Sequence, residues 1–183
     1  VWAWKAELLF QADRTEEALA AAEKSRDLDR WQPRAWFLLG RILLETGKEK
    51  DGLAAQERYR ELSAAAERSR SIESHLEYSP HDLPFLVRLV ELHRSTGNVP
   101  AARTALARLV AERPSDVDLR IFALDVLEGL ADAEGARTAA TAMKQRCADQ
   151  WKAWQRLERY YARSGDRLEQ MRAGEKARRL KLE

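Results

Sequence analysis

The sequence predicts an all-α protein, an α-solenoid of about five antiparallel helix–turn–helix hairpins. Three observations point there. Alanine, leucine, arginine and glutamate dominate the 183 residues, while strand-favouring valine, isoleucine and threonine are sparse. Apolar side chains recur at intervals of three and four, the period of a helix face. Similar residues also return every 34 positions: Trp2 and Trp36, Ala18 and Gly52, Ala102 and Ala136, and the series Gly97, Ala131, Gly165 at successive breaks between helices.

The first hairpin spans roughly 1–32 and opens at VWAWKAELL, with Glu16 and Glu17 as first-turn acids that complement the dipole of its second helix. The second spans 33–66, with an extension at 67–82. Its first helix carries Trp36, Leu39, Gly40 and Leu43, and Gly47 lets that helix end. Gly52 stands where the first hairpin has Ala18, a looser match to the pattern. The interval from Gly47 to Gly97 is 50 residues, 16 more than the repeat, and neither glycine nor proline interrupts the chain between Leu53 and Ser79. A second helix several turns longer than its siblings accounts for this; a separate short helix at 71–78 is the alternative.

The third hairpin, 83–116, places Leu86, Leu89, Val90 and His93 on one face, opposite Leu106, Leu109 and Val110. Thr96-Gly97-Asn98 marks its turn, and Pro100 fits the first turn of the next helix. The fourth spans 117–150. The fifth, 151–183, turns at Ser164-Gly165-Asp166 and ends in RLEQMRAGEKARRLKLE, whose many charges suit a polar cap. Ala18, Gly40, Ala102 and Ala136 fall where paired helices cross closely, and a larger side chain there would force the axes apart.

The run Trp36-x-x-Leu39-Gly40-x-x-Leu43, on a 34-residue metre, resembles the tetratricopeptide repeat (TPR) family. Lys5, Leu43, His93 and Gln56 depart from that family's pattern. The resemblance covers nearly the whole chain and implies a right-handed superhelix whose first helices line a concave surface. It further implies a protein–protein interaction scaffold binding a peptide or partner helix. The lysine/asparagine clamp of members that bind chaperone tails is absent, because Phe37, Arg41, Val87 and Glu91 stand at those positions.

Chemistry finds little support. The 32 basic and 30 acidic residues nearly balance, so no global field recruits nucleic acid or anionic membrane. Gly40, Gly47 and Lys48 lack the spacing and the Ser/Thr of a phosphate loop. His75, His81 and His93 show no metal-ligand spacing, and Cys147, the only cysteine, reads as an inert packed thiol. No catalytic residue, cofactor or metal is expected. The single cysteine fits a reducing compartment such as the cytoplasm, although exported helical proteins also lack disulfides. No stretch is apolar for long enough to span a bilayer. The chain opens without methionine inside a helical pattern, as a fragment or processed product would. Val1, Trp2 and Trp4 are therefore expected to be covered by further helices, a partner or an end-to-end copy. The tryptophans are expected to wedge between hairpins, with Trp4 or Trp31 as possible peptide anchors.

The register of the resemblance directs Phe10, Phe37 and Arg41 inward from the first two hairpins and Arg88 and Glu91 from the third. Asp125 follows from the fourth, and Lys152, Arg156, Arg159 and Arg163 from the fifth. The last four share a helix face. They either hold an acidic peptide or are answered internally, Asp125 and Glu128 pairing with Arg159 and Arg163. A scaffold for a protein or peptide partner is the expected function. A regulatory or substrate-presenting arm of a larger enzyme is the alternative, and nucleic-acid binding through the arginine-rich end is a third.

Overall fold

The structure is a computed structural model and describes residues 1–182. Among these residues there are ten α-helices and no strand: α1 (Trp2–Gln11), α2 (Thr15–Leu28), α3 (Pro33–Glu45), α4 (Glu49–Tyr78), α5 (Leu83–Ser95), α6 (Val99–Glu112), α7 (Val117–Gly129), α8 (Ala133–Arg146), α9 (Trp151–Ser164) and α10 (Arg167–Leu182). They fall into two compact units, one from Val1 to Ser71 and one from Ile72 onward. The extension is helical as far as Tyr78, and residues 79–82 form the turn into α5: α4 runs 30 residues without a break, against 14 in α2, α6 and α8. The alternative of a separate short helix at 71–78 does not occur.

Every hairpin turns on the same device. Asp13, Gly47, Gly97, Ala131 and Gly165 occupy one register position, and all five adopt the left-handed conformation, with φ between 55° and 80°. The next residue then donates its N–H five residues back, to Leu9, Leu43, His93, Leu127 and Tyr161, closing the helix end with a 6→1 hydrogen bond. Glycine adopts this conformation freely, whereas a β-carbon makes it costly, by roughly 1–2 kcal/mol. Ala131 carries that strain on an exposed turn. Ala131→Gly is therefore expected to stabilise the protein by about 0.5–1 kcal/mol, once the greater freedom of glycine in the unfolded chain is subtracted. Urea denaturation would check this.

In the later hairpins the second helix starts with an acceptor side chain. Asn98, Asp132 and Asp166 accept from the N–H of Ala101, Gly135 and Glu169. In the first two hairpins Arg14 and Lys48 hold this position, so those helices begin without such a cap.

The core is alanine-rich where helices cross. Ala18 and Ala102 are fully buried and Ala136 nearly so. A β-carbon on Gly40 would sit 3.1–3.2 Å from Gln56 and the Gly52 carbonyl, so α3 and α4 approach closely there. Gly52 is not a loosened match. A β-carbon on it would lie 2.7 Å from Leu44 Cγ and 3.0 Å from the Leu44 nitrogen, in space that Leu44 already fills. The unit up to Ser71 buries Leu38, Leu39, Ile42 and Leu43 against Ala6, Leu9 and Ala22. From Ile72 onward the core holds Leu76, Leu86, Leu89, Leu109, Leu124, Met143 and Leu157. Cys147 lies fully within it, 3.6 Å from the Ser115 carbonyl, and burial pushes its thiol pKa up.

Candidate functional site

The candidate site lies in the first unit and owes its shape to the length of α4. A second helix of ordinary length would end near Leu62. The extra turns carry Ser63, Ala66, Glu67 and Arg70 past the start of α3, and these residues face Pro33, Arg34 and Phe37 across a cleft of about 530 Å³. Tyr59, Leu38 and Glu7 of α1 complete its lining. Phe37 is 43% exposed, and its ring meets that of Tyr59 at 5.3 Å, tilted by 55°.

Charge in the cleft is of two kinds. Arg34 is held by Glu7 and lies 3.7 Å from the centre of the Trp4 ring, a paired cation capped by an aromatic face. Glu67 and Arg70 make no ion pair with each other or with any other described residue; Arg70 Nε reaches only the Ala66 carbonyl, at 3.4 Å. One acid and one base thus stand ready on a wall opposite an exposed aromatic ring. Beside the cleft, Arg41 lies over the ring of half-buried Phe10 at 4.9 Å and reaches Glu45 at 3.5 Å.

The candidates of the second unit are arranged differently. Arg88 lies over the ring of Phe85 on its own helix, at 5.0 Å, and Glu91 pairs with Arg94 at 3.4 Å. The basic stripe of α9 is largely answered from within. Lys152 reaches Asp118 at 3.4 Å, and Arg163 reaches Glu128 at 3.4 Å. Arg156 is buried, its side chain only 8% exposed, and it donates to Asp125 at 2.7 Å and to Glu128. The internal pairing therefore centres on Arg156 and not on Arg159, which is exposed and forms no ion pair among the described residues. Arg156 sits in the α7–α9 contact, where Asp125 and Glu128, three apart on α7, converge on it.

The histidines pack or pair with carboxylates. His75 stacks on Phe85 at 3.6 Å and meets Asp82 at 2.9 Å, while Asp82 caps α5 by accepting from the Phe85 N–H. The hydrogen bond to His75 holds the Asp82 carboxyl below its usual range. His81 meets Glu112 at 2.9 Å. Half-buried His93 has its pKa lowered by desolvation, against the pull of Glu73. No three His, Cys, Asp or Glu side chains converge as a metal site among the described residues. No helix is long and apolar enough to cross a membrane.

The tryptophans are not used as a uniform set of wedges. Trp36 and Trp154 hold the same register, and each indole N–H donates six residues back, to the Arg30 carbonyl at 2.7 Å and the Ala148 carbonyl at 2.8 Å. Each ties its first helix to the loop that precedes it. Trp4 is 60% exposed. Phe37 and the anomalous length of α4 were both visible in the sequence. Tyr59, Glu67 and Arg70 were missed because they lie on a second helix, away from the faces that the repeat register directs inward.

No protein-family model matches the chain, and no curated protein matches it. Solved structures to which it is similar include YrrB, described as a TPR protein with an unusual peptide-binding site (17% identity, 98% of this chain and 84% of that one, TM-score 0.43). Others are MamA MSR-1 (17%, 98% and 94%, TM-score 0.45) and a MamA from Desulfovibrio magneticus RS-1 (15%, 98% and 90%, TM-score 0.43). The ten helices among the described residues and their shared turn device, returning at 34 residues except across the long α4, stand independently of those likenesses. By its own geometry the chain is a helical-repeat protein of helix–turn–helix hairpins.

Proposed function

We propose that the chain is a non-catalytic interaction scaffold whose first unit receives an extended peptide in the cleft between α3 and the extra turns of α4. The observation that carries this is the wall itself. Sixteen residues beyond the ordinary length of a second helix place unpaired Glu67 and Arg70 opposite exposed Phe37. An aromatic anchor beside unpaired charges is the composition of a protein-binding hot spot, where a few residues supply most of the affinity. A peptide with one apolar side chain, flanked by one acidic and one basic residue, fits this arrangement: the acid would meet Arg70 and the base Glu67.

The paired basic stripe of α9 offers less. A partner there would have to displace carboxylates already bound to Arg156 and Arg163. Peptides selected from a random display library against the wild-type protein test the proposal. Phe37→Ser and Arg70→Glu are each expected to weaken the selected peptides at least about tenfold. Arg159→Glu is expected to leave them unchanged. Peptides insensitive to both cleft variants, or lost with Arg159→Glu, would place the binding surface elsewhere.

A further inference from the structure

In the second unit, α6, α7 and α8 enclose a cleft of about 290 Å³ whose walls include Leu106, Val110, Ala123, Leu127 and Ala139. That volume lies at the small end of ligand pockets. Arg120, on α7, lines it and is 91% buried, with a relative exposure of 9%. Arg120 holds the register position of Trp36 and Trp154. Its Nε makes the hydrogen bond those indoles make, donating six residues back to the Pro114 carbonyl at 2.6 Å.

The structural task at this position thus needs a single N–H, which tryptophan supplies without a charge. Arginine adds a guanidinium that the fold leaves unanswered. Its two terminal nitrogens have no hydrogen-bond partner and no carboxylate among the described residues, and both still reach solvent. Burial lowers the Arg120 pKa against the pull of Cys147, and Arg146 nearby adds repulsion. A mostly buried guanidinium that lacks a carboxylate but keeps an accessible edge can receive an anion that enters beside it. The other cation lining the cleft, Arg103, is already paired with Asp132, so the guanidinium of Arg120 is the one in the lining without a carboxylate among the described residues.

We propose that this cleft binds a small aliphatic monocarboxylate, its chain among the leucine, valine and alanine side chains and its carboxylate on the free edge of the Arg120 guanidinium. The apolar walls favour an anion carried on an aliphatic chain over a bare phosphate, which would leave them unfilled. The planar guanidinium edge matches a carboxylate in two parallel hydrogen bonds. At about 30 Å³ for a water-sized group, the cleft holds roughly eight to ten methylene-sized groups, the size of octanoate.

Titration calorimetry of the full chain with octanoate, octanol and octylammonium reads this directly. Octanoate is expected to bind at one site, at least tenfold more tightly than octanol, with no binding of octylammonium. Arg120→Trp, which restores the sibling residue and its N–H, is expected to abolish the preference for octanoate over octanol. Ala139→Leu, which fills the cleft and leaves Arg120 in place, is expected to abolish binding of both. Circular dichroism melts confirm folding of each variant, so a loss through unfolding in one is resolved by the other. Equal affinity for octanoate and octanol, or octanoate binding undiminished in either folded variant, would overturn the proposal. So would binding of a leucine-terminated peptide but not of octanoate.

Discussion

Glu128→Ala is expected to destabilise the unit from Ile72 onward by about 3 kcal/mol, the lower end of the range for breaking a buried ion pair. Arg156 has a side chain only 8% exposed and Glu128 one only 16% exposed, whereas Asp125, at 54%, is largely hydrated. Removing Glu128 would leave the guanidinium in the α7–α9 contact with one solvent-weakened partner. Arg156 Nη1 is already buried without a hydrogen-bond partner, so the site has no reserve. The double variant Glu128→Leu/Arg156→Met removes both charges and retains the volume. It is expected to lie within about 1 kcal/mol of the wild type, or to exceed it, because neither desolvation cost remains. Urea unfolding of Glu128→Leu, Arg156→Met and the double variant closes the cycle. A single-variant loss below about 1 kcal/mol would mean that the pair behaves as a surface pair and that Arg156 rehydrates freely.

Asp132→Ala is expected to cost about 2–3 kcal/mol, because one carboxylate performs two tasks. Its Oδ1 accepts from the Gly135 N–H at 3.0 Å and caps α8, while both oxygens take the Arg103 fork from α6. The side chain is only 4% exposed. Loss of an N-cap accounts for about 0.5–2 kcal/mol, and loss of a charge-assisted hydrogen bond for the rest. Gly135 is part of the arrangement, since a β-carbon there would collide with the Asp132 carboxylate.

Asp132→Asn separates the two tasks, keeping the cap and removing the charge. The hydrogen bond from Arg103 holds the Asp132 carboxyl below its ordinary pKa of 3.8, against burial, which raises it. A depressed carboxyl contributes stability in full above the unfolded pKa and loses it as pH falls through the folded one. The wild type should therefore exceed Asp132→Asn in stability at pH 7, and that advantage should shrink as the pH falls below about 3.8. Parallel unfolding curves at pH 7 and pH 3 check the sign. An advantage that grows in acid would contradict it.

Much of the fold was legible because it rests on local chemistry. Gly47, Gly97 and Gly165 announce left-handed turns, and the 34-residue interval locates Ala131 at the same turn although alanine does not announce it. Gly52 was opaque, since its reason is the Leu44 side chain of another helix. The candidate site was legible only in part. Phe37 and the 16 extra residues were visible, but not that those residues would stand across a cleft from it. On α9 the four basic residues share a face by spacing alone. Which of them is buried depends on the placement of Asp125 and Glu128, and the partner proved to be Arg156.

The sequence by itself determined the helices, their turns and their hairpin period, because capping, left-handed glycines and apolar spacing act within a few residues of each other. Only the tertiary structure decided which charges are already answered and which, like Glu67, Arg70 and Arg120, are left over. Pairing depends on distances between side chains some 30 residues or more apart in the chain, and those distances are set by how helices pack.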